Sequence, residues 1–212
     1  MLIACLHTAE SNIAVFEAAA QPLGATLTHM VRADLLREAE VAGGLNPDTA
    51  RRTAFLLRGL ADHAEAVLLT CSTLGPAALD AAHSAKTPIL RVDDALARQA
   101  LEAGRRITVL CAAQTTIEPT RALFKTVASG RAAAIEIQLV PGAWDVFKTG
   151  EIDRYHAMVA DAADAAFEAG ADVVALAQAS MAHAASLCQA GRPLTSPTAG
   201  LAAALQAAAT AR

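Results

Sequence analysis

Short apolar runs alternate with longer amphipathic stretches along the whole chain. The runs read as buried strands near 2–7, 25–31, 66–70 and 88–91, and again near 106–111, 134–140, 172–177 and 193–194. Helical spacing of apolar positions falls between them, near 11–22, 47–63, 75–84 and 94–103, then 116–128, 151–169, 181–190 and 198–212. Gly24 and Gly170 stand where the pattern breaks and suit helix terminators. Short strands alternating with helices predict an α/β fold whose parallel sheets are covered on both faces.

The pattern also repeats. Ala64-Glu65-Ala66-Val67-Leu68-Leu69-Thr70-Cys71 lies over Ala171-Asp172-Val173-Val174-Ala175-Leu176-Ala177-Gln178 without a gap, at an offset of 107 residues. Leu2-Ile3-Ala4-Cys5-Leu6 pairs with Ile107-Thr108-Val109-Leu110-Cys111, and Thr26–Val31 pairs with Ile135–Val140. Thr87-Pro88-Ile89-Leu90 matches Arg192-Pro193-Leu194-Thr195, each followed by a polar turn and a helix. Overlays in one order at a nearly constant offset indicate a duplication. The expected architecture is two pseudosymmetric parallel-sheet α/β units facing each other across a cleft. Residues 1–93 with 197–212 form the first unit and 94–196 the second. The stretches Gly43–Pro47 and Pro141–Ala143 are read as equivalent loops.

Composition narrows the function classes. Hydrophobic residues make up 54% of the 212 but aromatics only 3%, so Ala, Leu and Val must build the core. A formal charge of −4 and the lack of a Lys/Arg cluster argue against nucleic acid. No apolar stretch reaches the roughly 18–20 residues of a membrane span, and the first residues lack the n- and h-regions of a signal peptide. Cys5, Cys71, Cys111 and Cys188 show no CxxC spacing, so reduced thiols and a cytoplasmic setting are expected. There is no GxGxxG and no P-loop.

The chemistry concentrates where strands end. Cys71 follows an apolar strand and precedes Ser72-Thr73-Leu74-Gly75-Pro76, a helix start whose unpaired N–H groups favour a thiolate and a substrate carboxylate. A free cysteine there is equally compatible with a small buried hydrophobe. Parallel sheets bind ligands beyond their strand carboxyl ends. That rule collects His7, Thr8, Glu10, Ser11 and Asn12 after the first strand, and Ser72 and Thr73 beside Cys71. In the second copy it collects Thr115 and Thr116, then Gln178, Ala179 and Ser180. Hydroxyls, amides and N–H groups suit a small carboxylate or carbonyl compound. Taken singly, Ser11, Ser72, Thr73 and Thr116 read as helix N-caps. His7 is placed to assist Cys71. Cys5 and His7 share a strand face, but no further clustered ligand accompanies them, so no metal is expected. Trp144 and Tyr155 read as packing residues or loop anchors.

Carrying these residues, the chain resembles the aspartate/glutamate racemase superfamily, which includes hydantoin racemases, maleate isomerases and arylmalonate decarboxylases. The resemblance rests on the duplicated halves, on Thr70-Cys71-Ser72-Thr73, and on Pro88-Ile89-Leu90 and Pro193-Leu194. It implies a cofactor-independent enzyme in which two cysteines flank the substrate's α-carbon, one removing a proton and the other delivering one. Cys71 takes the first cysteine's role, and Ser72, Thr73, Thr115 and Thr116 hold the carboxylate. It also implies a homo-oligomer, as relatives are often dimers or larger. The chain departs from the pattern at three positions. Gln178 stands at the second cysteine and has no proton to exchange near neutral pH. His7 replaces the acidic residue after the first strand, and Ser180 a histidine. Three readings follow: an isomerase or lyase using one cysteine, a hydrolase acylated at Cys71, or a non-catalytic carboxylate binder.

Overall fold

Two sheets of four parallel strands, with strand orders β2-β1-β3-β4 and β6-β5-β7-β8, carry the fold in a computed structural model that describes residues 1–211. The first sheet comprises β1 (Leu2–His7), β2 (Thr26–Val31), β3 (Ala66–Leu69) and β4 (Ile89–Arg91). The second comprises β5 (Arg106–Cys111), β6 (Ala134–Leu139), β7 (Val173–Leu176) and β8 (Leu194–Thr195). The helices are α1 (Asn12–Ala20), α2 (Ala33–Val41), α3 (Pro47–Ala61), α4 (Ala77–Ser84), α5 (Val92–Ala103), α6 (Gln114–Val127), α7 (Ala143–Lys148), α8 (Ile152–Glu168) and α9 (Ser196–Thr210). Short 3-10 helices span Gln21–Leu23 and Ala179–Ser186.

The α/β class and the duplication expected from the repeat are present. Central strands β3 and β7 are buried at every position, whereas β2, at a sheet edge, leaves Thr26 and Thr28 exposed. Gly24 adopts φ 63° after the first 3-10 helix, a left-handed conformation that glycine reaches without strain. The chain forms two compact units: Met1–Ala95 with the segment from Pro197 onward, and Leu96–Ser196. The division falls inside α5. Each unit has its own core: Leu6, Leu35, Leu57, Val67 and Leu69 in the first, and Leu110, Tyr155, Val159, Val174 and Leu176 in the second.

Several elements differ from expectation. Helices α2 and α7 occupy stretches read as loop or left unassigned. α2 buries only Leu35 and Ala39, and α7 has only six residues, so neither shows a long apolar stripe. The polar turn Val92-Asp93-Asp94 is the first turn of α5 itself. The expected helix at 181–190 is the 3-10 helix Ala179–Ser186. Among the described residues, no helix is long and apolar enough to cross a membrane.

Candidate functional site

In the first unit, the segment after β3 returns to the end of β1. Thr70 N–H donates to the Leu6 carbonyl at 3.1 Å, and the Thr70 hydroxyl donates to the same oxygen at 3.0 Å. The chain then turns through Ser72, whose carbonyl accepts from Gly75 N–H at 3.1 Å, and enters α4. Cys71 is half-buried in this turn, while Thr70, Ser72 and Thr73 are buried. The Thr8 hydroxyl and the N–H groups of Leu74 and Thr73 act on the Cys71 sulfur to lower its pKa. These are the donors a thiolate would require. Burial nevertheless outweighs them, and the Asp93 charge acts in the same direction, so the thiol is held above its ordinary pKa. The helix-start N–H groups act towards the thiolate as expected, and desolvation acts against them. Orphan N–H groups are legible in a sequence, but the desolvation opposing them is not.

His7 does not pair with Cys71. Its ring lies fully buried at the end of β1, with Nδ1 2.9 Å from Thr70 Oγ1 and Nε2 2.9 Å from His29 Nδ1. Because the Thr70 hydroxyl already donates to Leu6, His7 Nδ1–H is the donor to Thr70, and His7 Nε2 accepts from His29. His29 Nε2 in turn donates to Glu17 Oε1 at 2.9 Å. Burial, and then the neighbouring His29, push the His7 pKa down to about 4. Thr8, assigned to substrate from sequence, is the side chain that touches the sulfur. Asn12 is buried at the start of α1, whereas Glu10 and Ser11 are exposed.

The helix-capping reading fails for the hydroxyl residues. Ser11 holds the N-cap position of α1 without a side-chain cap bond. The N-caps of α4 and α6 are Pro76 and Ala113.

One charged pair escaped the sequence reading. Arg91 ends β4 and makes a two-pronged contact with Asp93, Nε to Oδ1 at 2.9 Å and Nη2 to Oδ2 at 2.6 Å. Both side chains are largely buried, at 10% and 5% exposure. The guanidinium lies against Gly75, where any Cβ would overlap it. A side chain at this position would have to push the guanidinium aside. The available signal was an Arg-x-Asp pair directly after an apolar strand.

The second unit repeats the geometry with different chemistry. Ala177 N–H donates to the Leu110 carbonyl at 3.0 Å, matching the Thr70–Leu6 contact. Gln178 Oε1 accepts from the N–H groups of Ala112, at 2.6 Å, and Ala113, at 3.0 Å. The N–H groups between β5 and α6 that could cradle a ligand carboxylate are thus bonded by the protein's own amide. Thr116 is buried one turn further on. The Thr115 hydroxyl oxygen is buried without a partner, although the residue as a whole is only half-buried. Ala179 is buried. The Ser180 hydroxyl bonds the Tyr155 hydroxyl at 2.8 Å, and the Ser180 carbonyl accepts from His156 Nε2 at 3.0 Å. Tyr155 thus anchors this loop while its ring is fully buried.

The family model for Asp/Glu/hydantoin racemases matches residues 7–205. The chain belongs to this family. Solved structures agree in fold. Aspartate racemase from Picrophilus torridus superimposes with a TM-score of 0.76 at 12% identity, covering 98% of this chain and 94% of that one. Allantoin racemase from Klebsiella pneumoniae gives 0.71 at 15% identity, covering 99% and 88%. A glutamate racemase from Bacillus anthracis gives 0.67 at 15% identity, covering 97% and 81%. At these identities the likeness is one of fold. No curated protein sequence matches the chain. In this racemase fold, the repeat places Cys71 and Gln178 at equivalent positions, one after the third strand of each sheet.

Proposed function

We propose that the protein is an isomerase moving a proton at a carbon next to a carboxylate, with Cys71 as its only proton carrier. The observation that carries this reading is the contrast between equivalent positions. The Cys71 sulfur collects three donors that would stabilise a thiolate formed during turnover. Gln178 has its oxygen committed to two backbone N–H groups and has no proton to give. A single carrier that returned the proton to the same face of the same carbon would only exchange it with solvent, so net isomerisation places the proton on a second atom of the delocalised anion and shifts a double bond. Ser72 and Thr73, in the same turn as Cys71, are assigned to the substrate's carboxylate. His7, bonded to Thr70 rather than to the sulfur, positions the Cys71 turn.

A second reading is favoured by one observation. Burial keeps the resting Cys71 protonated. A protonated thiol is the form needed to quench the carbanion left when a malonate-type substrate loses carbon dioxide. In that reaction the C–C bond electrons stay on the α-carbon, Cys71 S–H supplies the proton, and the resulting thiolate is stabilised by Thr8, Thr73 and Leu74.

The test is a panel of small dicarboxylates, hydantoins and aryl-substituted malonates, screened by thermal shift and then by turnover. A true ligand at 100 times its dissociation constant adds about 2.7 kcal/mol of stability. Turnover should vanish in Cys71→Ala. Turnover that survives in Cys71→Ala refutes both readings.

A further inference from the structure

Three metal-ligating side chains, of which only His7 also supports the Cys71 turn, converge on one face of the first sheet. Cys5 and His7 leave the same face of β1, and parallel pairing sets Cys5 directly beside His29 of β2. The Cys5 sulfur and one ring nitrogen from each histidine all lie within 4.8 Å of one another. No sequence spacing discloses this trio, because the third member arrives through strand register.

The histidines are already oriented as ligands. His7 Nδ1–H is tied to the Thr70 hydroxyl, so its Nε2 lone pair points inward. His29 Nε2–H is tied to the Glu17 carboxylate, so its Nδ1 points inward. The two inward nitrogens are 2.9 Å apart. Once the proton shared by the inward nitrogens leaves, each imidazole has an outward N–H held by a hydroxyl or carboxylate and an inward nitrogen available to an ion, which is how metal-bound imidazoles are fixed. Phe16 of α1 covers His7, its ring centroid 5.1 Å away, and shields the site on that side. Access lies at the sheet edge, where the Glu17 side chain is 55% exposed and that of His29 12%.

We propose that Cys5, His7 and His29 form a binding site for a zinc ion, with Glu17 in its outer shell. One thiolate and two imidazoles are the donor set that a borderline-soft divalent ion selects. Tetrahedral zinc with Zn–N of about 2.0–2.1 Å holds two nitrogens about 3.3 Å apart, so the rings must part slightly and turn from their head-on hydrogen-bonded alignment for both nitrogens to face one ion. Uptake displaces two protons to solvent, one from the Cys5 thiol and one from between the imidazoles. The ion's two positive charges then face the Cys5 thiolate and the Glu17 carboxylate. Three protein ligands leave the fourth position to water.

Cobalt(II), added to reduced, chelator-treated protein, tests the site directly. The expected result is uptake of one equivalent, with a sulfur-to-cobalt charge-transfer band in the near ultraviolet and visible bands of a tetrahedral ion, both erased by zinc. Cys5→Ala should abolish the charge-transfer band, and Glu17→Gln should weaken affinity about 10–100-fold. Cys71→Ala should leave the spectrum unchanged. His29→Gln, at a half-buried edge position, gives an answer even where Cys5→Ala fails to fold: circular dichroism should match the parent while cobalt uptake is lost. The proposal is overturned if the folded parent shows no charge-transfer band, which would leave these residues as a hydrogen-bonded chain only. It is equally overturned if the band disappears in Cys71→Ala or survives in Cys5→Ala or His29→Gln.

Discussion

Gln178 Oε1 sits 2.6 Å from the backbone nitrogen of Ala112, and the same oxygen takes a second hydrogen bond from Ala113. The side chain at the position equivalent to Cys71 is thus a fixed part of its own unit, its acceptor spent on the turn before α6. Gln178→Ala should leave those two N–H groups without their partner and cost about 1–3 kcal/mol in urea unfolding. Added carboxylate should recover part of the loss by binding the freed N–H groups. A stability change within experimental error would show that water replaces the amide fully.

Reactivity of Cys71 reports the balance between burial and its donors. Because burial raises the thiol's pKa, iodoacetamide labelling at Cys71 should keep accelerating as pH rises through about 9, the ordinary range for a cysteine. Thr8→Val removes one donor to the sulfur, so the pKa should rise further and labelling at a fixed lower pH should slow. Peptide mass spectrometry separates Cys71 from Cys188, the other half-buried thiol. Faster labelling in Thr8→Val would contradict the assigned hydrogen bond.

Arg91 and Asp93 form a pair that should be costly to break from one side. Arg91→Ala leaves a buried carboxylate uncompensated and should destabilise by about 3–5 kcal/mol. It also leaves the Asp93 charge acting on Cys71 without its counterion, so labelling of Cys71 should slow as well. Replacing both residues, Arg91→Met with Asp93→Leu, should recover most of the stability. Equal losses in the single and double variants would contradict the argument.

The Tyr155 hydroxyl gives a smaller effect. Tyr155→Phe keeps the buried ring and removes only the bond to Ser180, so thermal or urea unfolding should register about 1 kcal/mol. Tyr155→Ala should cost several times more, about 3–5 kcal/mol, through the cavity it leaves.

These contacts show what the sequence could and could not disclose. The duplicated sheets were legible because β3 and β7 are continuous apolar runs followed by matching turns. Helix α2 was not, because with only Leu35 and Ala39 buried it carries no long apolar stripe to mark it. The Cys71 turn stood out locally through its Thr-Cys-Ser-Thr run. His29 and Arg91 did not, since strand register brings one beside Cys5 and the close approach to Gly75 positions the other. The pairing of His7 with Cys71 looked plausible from chain order. It fails because Thr70, a residue nearer along β3, takes the imidazole proton first.

In the proposed chemistry, protons reach and leave the substrate carbon through one sulfur. Turnover of a single-enantiomer substrate, or of a prochiral malonate, in deuterium oxide measures this most directly, with the product's deuterium content and handedness read together. One solvent deuteron delivered to a single face without inversion, in a reaction lost in Cys71→Ala, is the predicted result. Inversion at a rate matching deuterium incorporation would reveal a second proton carrier and contradict it.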